Sequence, residues 1–505
     1  MNKVRLISIV LAAACCLSLS LGARERYENV REGNLWLRST NVVGMRADTL
    51  SASVAALKGS FETGEYRLYN DAPLLWGAGA EASSIKHLRK FSLAGTFGFT
   101  QTTLYNACGS MFGDPGRFPV DISEYTPGTK SRQKYYFDGA ISVDLSSSWR
   151  IGGDVSFAAT NTAKRKDLRY TDYAMDFHIA PSLQWLCGAD GALGVSFILE
   201  RNTETITAEQ IGESSTSYYA FLDKGLFYGQ TNVWDAGSLH ISEPGISGFP
   251  VRKMGYGAAL QGSWRNVFAE FSYVRRSGTV GEKDAIWFTF PANDFAAAVS
   301  SKILSSDGAV HVLRLDASYS RENLCESIIE KVTEGGVTTR SNYGSNTVLR
   351  RSSLSVAPSW SAWKDGCWEM KASLGYSREE GLGSQMYPWC NTLTLRSACA
   401  SFDVRLISGG WSGIMRAALR KGWIQDAVTL DSSYDTDVVE ALSFQARNED
   451  IFDAWKDYNA ALSYMLGMGL RRDFSNGLFL QADASCRVGG SLWRLSANLT
   501  FGYEF

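Results

Sequence analysis

Asp138, Asp144, Asp154, Asp176, Glu200, Glu270, Asp316, Glu369 and Asp483 all fall on the polar parity of alternating segments. Arg150, Lys302, Arg314, Lys371, Arg416, Arg420, Arg487 and Arg494 share that parity, with Gln481 and His178 among them. Acids and bases facing one space can act as a field that selects passing solutes. They can equally pair across neighbouring strands and solvate the space between them, and the intermixed signs favour pairing. His178 with Asp176 has the composition of a proton or metal site, but cross-strand hydrogen bonding explains two such residues as well. Of the remaining histidines, His87 falls in a turn, His311 lies on the apolar parity, and His240 sits near Asp235 and Glu243 without a nucleophile motif. No catalytic residue, cofactor or metal is assigned on that basis. The cysteines form neither a CxxC pair nor a cluster with histidine, so thiolate metal binding gains no support.

The elements that must hold these residues are strands. In SLWRLSANLTFGYEF, Trp493, Leu495, Ala497, Leu499, Phe501, Tyr503 and Phe505 alternate with Arg494, Ser496, Asn498, Thr500, Gly502 and Glu504. Period two over so long a run gives one apolar and one polar face along the whole strand. FSLAGTFGFT, YYFDGAISVDL, ALGVSFILE, WEMKASLGY and LFLQADASCRV repeat it. Short connections near 146–148, 187–190, 264–265, 304–307, 363–366, 405–409 and 472–476 alternate with long polar ones near 102–134, 161–172, 203–252, 278–288, 321–348, 380–387 and 422–457. Tryptophans, Trp363 among them, collect beside the short connections and tyrosines at the far strand ends, as in two interfacial girdles.

The expected fold is therefore all-β: a transmembrane antiparallel up-and-down β-barrel of about 16 strands, with short periplasmic turns and long extracellular loops. Sixteen strands are counted from residue 88 onward, and 49–85 offers two more. A parity switch near Arg396–Ala398 reads as a bulge.

Lys3 and Arg5 precede an apolar run to Leu21 with Gly22 and Ala23 after it, the layout of a secretory signal peptide. The expected organisation is a signal peptide over 1–23, a periplasmic segment over 24–48 and the barrel over 49–505. Without Lys3 and Arg5 the chain has 48 basic against 52 acidic residues, a balance that argues against nucleic acid. No later segment reaches the roughly 18–20 apolar residues of a membrane helix, so a membrane could be crossed only by strands.

The terminal Phe501, Tyr503 and Phe505 resemble the insertion signal of Gram-negative outer-membrane barrels, which implies the barrel-assembly machinery and outer-membrane lipid as partners. TNVVGMRADTLSASVAALKGSF and AEASSIKHLRKFSLAGTFGFTQ resemble the start of an uncharacterised outer-membrane barrel family common in Bacteroidota. Asn41, Gly44 and Met45 match part of the Asn-Pro-Ala-Gly motif of long-chain fatty-acid channels, but Val42 and Val43 depart from it, and lipid transport is not carried over. The expected role is passive or gated passage of a small solute, with Phe221, Leu226, Phe227, Tyr228 and Trp234 of the longest loop as a constriction. The alternative is a non-conducting barrel that partners a surface lipoprotein or a neighbouring transporter.

Overall fold

A computed structural model describes residues 26–505 apart from 167, 189, 210–219, 227–230, 236–237, 240–247, 283–284, 335–336, 384–389 and 429–438. The signal peptide and His240 lie outside the described residues. Eighteen antiparallel strands form the ring. They are β1 Ala52–Gly64, β2 Leu74–His87, β3 Phe91–Ser110, β4 Asp121–Asp144, β5 Trp149–Lys164, β6 Arg169–Cys187, β7 Gly191–Glu209, β8 Phe249–Trp264 and β9 Val267–Glu282. The second half comprises β10 Ala285–Leu304, β11 Val310–Glu334, β12 Val337–Lys364, β13 Trp368–Gly383, β14 Asn391–Ser408, β15 Trp411–Ala427, β16 Ser463–Asp473, β17 Leu478–Gly489 and β18 Leu492–Glu504.

Each strand pairs with the next in sequence, and β18 closes on β1 through a register running from Val54 opposite Glu504 to Gly64 opposite Arg494. Phe505 and Ser53 exchange two backbone hydrogen bonds of 3.0 Å at the seam. Closure leaves no sheet edge in the wall, so the backbone there is satisfied within the ring. The count exceeds the expected 16 by the two strands of 49–85.

The alternation places its apolar parity outward. Leu57, Phe137, Phe197, Leu260, Leu374, Leu466 and Leu499 are exposed on that face, with Trp149, Trp185, Trp264 and Trp411 at the turn end and Tyr135, Tyr173 and Tyr256 at the loop end. Trp363 departs from the expected girdle: it points inward, 5% exposed, with its ring 3.3 Å from where a Cβ on Gly33 would be. The expected bulge is also absent. Residues 391–408 keep an unbroken register with both neighbours. Leu395 sits on the inward parity and is buried, so the apparent parity switch marks an inner face that turns apolar toward the loop end.

The stretches 321–348 and 278–288, read as loops, are mostly strand. β11 and β12 run 25 and 28 residues, well beyond the roughly 9–11 needed to cross a bilayer, and their hairpin projects past its neighbours. A helix, Val439–Ala460, starts inside the expected loop 422–457 and runs three residues past it, so the next strand begins only at Ser463.

Candidate functional site: the lumen between a floor and a cap

The segment 24–48 is expected in the periplasm; its described residues run inside the ring near the turn end. A helix over Tyr27–Gly33 is followed by 3-10 turns over Leu35–Arg38 and Val42–Ala47. Asn34 and Asn41 start these turns because their side-chain oxygens accept the Trp36 and Val43 N–H groups.

The segment follows the inner wall, meeting strands in nearly descending order. Arg26 and Asn29 hold Glu369 of β13, and Ser361 of β12 donates to Glu32 at 3.0 Å. Arg314 of β11 donates to the Arg38 carbonyl at 3.3 Å. The Thr40 hydroxyl and N–H donate to Glu270 of β9 at 2.5 and 3.1 Å. Asn41 donates to the Leu183 carbonyl of β6 and to Gln261 of β8, both at 3.1 Å. Ser142 of β4 donates to the Val43 carbonyl at 2.6 Å, and Arg46 pairs with Asp144 at 2.6 Å and donates to Ser92 of β3 at 3.1 Å. Trp36, 4% exposed, is wedged between Gly44, Gly194 and the Phe268 ring. Asn41, Gly44 and Met45 thus build this floor.

The opposite end is capped. Ala220–Asp223 pairs with Asp121–Glu124. Met111, Phe112, Phe118, Val120, Ile122, Ala220 and Leu222 pack with Phe249, Phe290 and Leu324 in one buried apolar cluster, with Leu226 against it. Phe221 is buried as well. These residues supply part of the expected constriction. Phe227 and Tyr228 lie outside the described residues, and only the backbone is described at Trp234. Arg117 ties the cap to Asp176, Lys224 to Glu326 at 2.7 Å, and Lys164 meets Glu124 at 2.6 Å. Burial, reinforced by Asp223 opposite, pushes the Asp121 carboxyl up to about 7.

Between floor and cap lie two adjoining chambers. One, of about 660 Å³, is lined by Arg38, Thr40, Asp154, His178, Glu200, Glu270, Arg276, Asp294, Arg314 and Asp316. The other, of about 670 Å³, is lined by Glu28, Arg31, Lys58, Glu81, Tyr136 and Asp138, and it shares Ser39 and Asp154 with the first. His178 lies 3.4 Å from Asp154 and 3.8 Å from Glu200. Arg276 donates to Glu200 at 2.7 Å and pairs with Asp294. Arg314 meets Asp316 at 2.7 Å.

Other inward charges are brought into separate groups. Asp144 holds Arg150 at 3.0 Å, and Asp483 takes Arg416 at 2.5 Å and Gln481 at 3.3 Å. Arg494 pairs with Glu62 at 2.8 Å near the loop end. Asp176 lies toward the cap with Arg117 and Asn202, apart from the His178 contacts. Lys371 forms no ion pair among the described residues, and Arg487 reaches only the Met465 sulfur, at 4.0 Å. Phe501 faces outward, and Tyr503 stacks on Phe505 at 5.4 Å. Arg276 and Asp294 were missed, although the alternation of FSYVRR would have placed Arg276 inward. The wall as a whole is polar, and most of the inward charges named here are paired, which suits hydrated solutes.

Residues 43–505 match a family of unknown function, DUF6850. The chain belongs to that family. Among solved structures, the fold is similar to OccAB1 of Acinetobacter baumannii, at 10% identity over 90% of this chain and 97% of that one, TM-score 0.34. It is also similar to the FrpB iron transporter of Neisseria meningitidis, at 10% identity over 90% and 81%, TM-score 0.40. OpdK, an outer-membrane protein of Pseudomonas aeruginosa, matches at 9% identity over 90% and 99%, TM-score 0.32. No curated protein matches this member of the family.

Proposed function

We propose that this barrel is a gated outer-membrane channel for a small polar solute, closed by the floor at its turn end and the cap at its loop end. The observation that carries the reading is a polar lumen, chambered at mid-height, inside a ring whose outer face is an apolar belt between aromatic girdles. An apolar outer face suits lipid, and a hydrated polar interior suits passage. The terminal Phe501, Tyr503 and Phe505 are the proposed handle for barrel assembly. Ion pairs such as Arg276 with Glu200 and Asp294 would tune which solutes enter rather than bind one tightly.

The test is single-channel conductance of the refolded protein in a planar bilayer, beside Leu222→Asp. Leu222 is 3% exposed in the cap cluster, and a charge there must leave the apolar core. Brief openings in the native protein and sustained ones in the variant would support the channel. Silence in both, persisting when Gly44→Ala is added and proteolysis shows floor and cap both released, would refute it. The second reading, a barrel that binds a surface lipoprotein or transporter, draws on the β11–β12 hairpin. Its residues 327–334 and 337–345 pair only with each other and present Ile328, Val332 and Tyr343 beyond the ring.

A further inference from the structure

Four side-chain oxygens beneath the cap receive no well-formed hydrogen bond from a protein N–H or hydroxyl: Thr162 Oγ1, both carboxylate oxygens of Asp172, and Glu204 Oε2, while the Asp172 and Glu204 carboxyl groups lie within hydrogen-bond reach of each other. Their residues are 1%, 0% and 1% exposed. They come from three adjacent strands. Thr162 of β5 lies directly opposite Asp172 of β6, and Glu204 of β7 lies opposite Ala174, one diagonal step from Asp172. All three occupy the inward parity near the loop end, within one residue of the level of Tyr173.

Gly113 of the cap roofs the group. Its N–H donates to Glu204 Oε1 at 3.0 Å, and a Cβ there would come within 2.9 Å of Asp172 Oδ2. Two side-chain cations lie near. Arg117 is engaged by Asp176, and Arg132, opposite Thr162, makes no hydrogen bond to either carboxylate. Buried carboxylates this short of donors are costly unless something compensates them.

We propose that Thr162, Asp172 and Glu204 form a binding site for a divalent cation of the calcium class, which clamps the cap to the wall. All the orphaned atoms are hard oxygens, two of the three residues are carboxylic acids, and no thiol or imidazole joins them, the donor set such ions prefer. Waters or backbone carbonyls would complete the six to eight ligands. The hydroxyl is the second, independent observation: Thr162 has no charge to neutralise, yet its oxygen is buried and unpartnered on the inward face directly opposite Asp172. A cation there would join three wall strands beneath the Gly113 turn of the cap. The site stands whether or not the barrel conducts.

The test is calorimetric titration of calcium chloride, after EDTA treatment, into the full refolded barrel in detergent. The expected result is one ion per barrel, lost in Asp172→Asn/Glu204→Gln, whose fold is checked by its heat-dependent electrophoretic migration. Thr162→Val keeps both charges and is expected to weaken binding at least about threefold. Calcium should also slow tryptic cleavage after Arg117 by about tenfold in the native protein alone. No calcium binding by the native barrel would overturn the site and leave a proton shared by the two acids. Undiminished binding in the double variant would overturn it as well. If that variant does not fold, unchanged affinity in Thr162→Val overturns the site in its place.

Discussion

Replacing Gly44 by alanine puts a methyl group where the Trp36 indole already is. The new carbon would lie 2.1, 2.3 and 2.5 Å from three ring atoms, against an ordinary contact of 3.4 Å or more. The ring must therefore retreat by more than about 1 Å. Its retreat is resisted: the Phe268 ring is edge-on with centroids 4.9 Å apart, and the indole already packs over Gly194, where only the missing side chain leaves it room. Overpacking that the site absorbs costs about 1–3 kcal/mol. Expelling the indole instead forfeits about 4–6 kcal/mol, from burial of 150–250 Å² at about 25 cal/mol per Å². The smaller cost governs, and 1–3 kcal/mol raises the population of the undocked floor roughly 5–150-fold. Gly44→Ala should cleave faster after Arg46 in limited trypsinolysis and, in a conducting barrel, lengthen open times in bilayer recordings. Cleavage at the native rate would refute the wedge.

Glu270→Gln keeps the shape of the acceptor but removes its charge, and should loosen the floor by about 1 kcal/mol through Thr40, read in the same cleavage assay. Asp121 gives the cap a pH dependence. Its carboxyl is raised from 3.8 to about 7 in the docked cap, so docking is strongest below about pH 4 and weakens as the pH rises toward and through 7. In EDTA, trypsin should cut after Arg117 faster at pH 8 than at pH 5, and Asp121→Asn should flatten that difference. Cys399 faces inward with Ser397 and Ser401, whereas Cys486 lies on the outward parity with Ala484 and Val488. In single-cysteine variants a water-soluble thiol reagent should label Cys399, and only an apolar reagent should label Cys486. Equal labelling of both by the polar reagent would contradict the assignment of faces.

The wall was legible because period two reports directly on two media. Each residue of the outer belt, from Leu57 on β1 to Leu499 on β18, lies on an exposed apolar face, so no distant contact is needed to choose its type. The short turns were found for the same reason: alternation stops where the chain leaves that surrounding. Where the inner face becomes apolar, at Leu395, the same rule misled and suggested a bulge that the register does not contain.

Floor and cap are decided otherwise. Arg26 meets Glu369 across 343 positions, Thr40 meets Glu270 across 230 and Lys224 meets Glu326 across 102. None of these pairs leaves a periodic trace in the chain, because each partner only needs to be polar and inward. The alternation by itself determined a closed ring with an apolar outside and a charged inside. Only the tertiary structure decided that 26–48 and the cap fold into that ring, since the choice depends on side chains from distant strands converging on one segment.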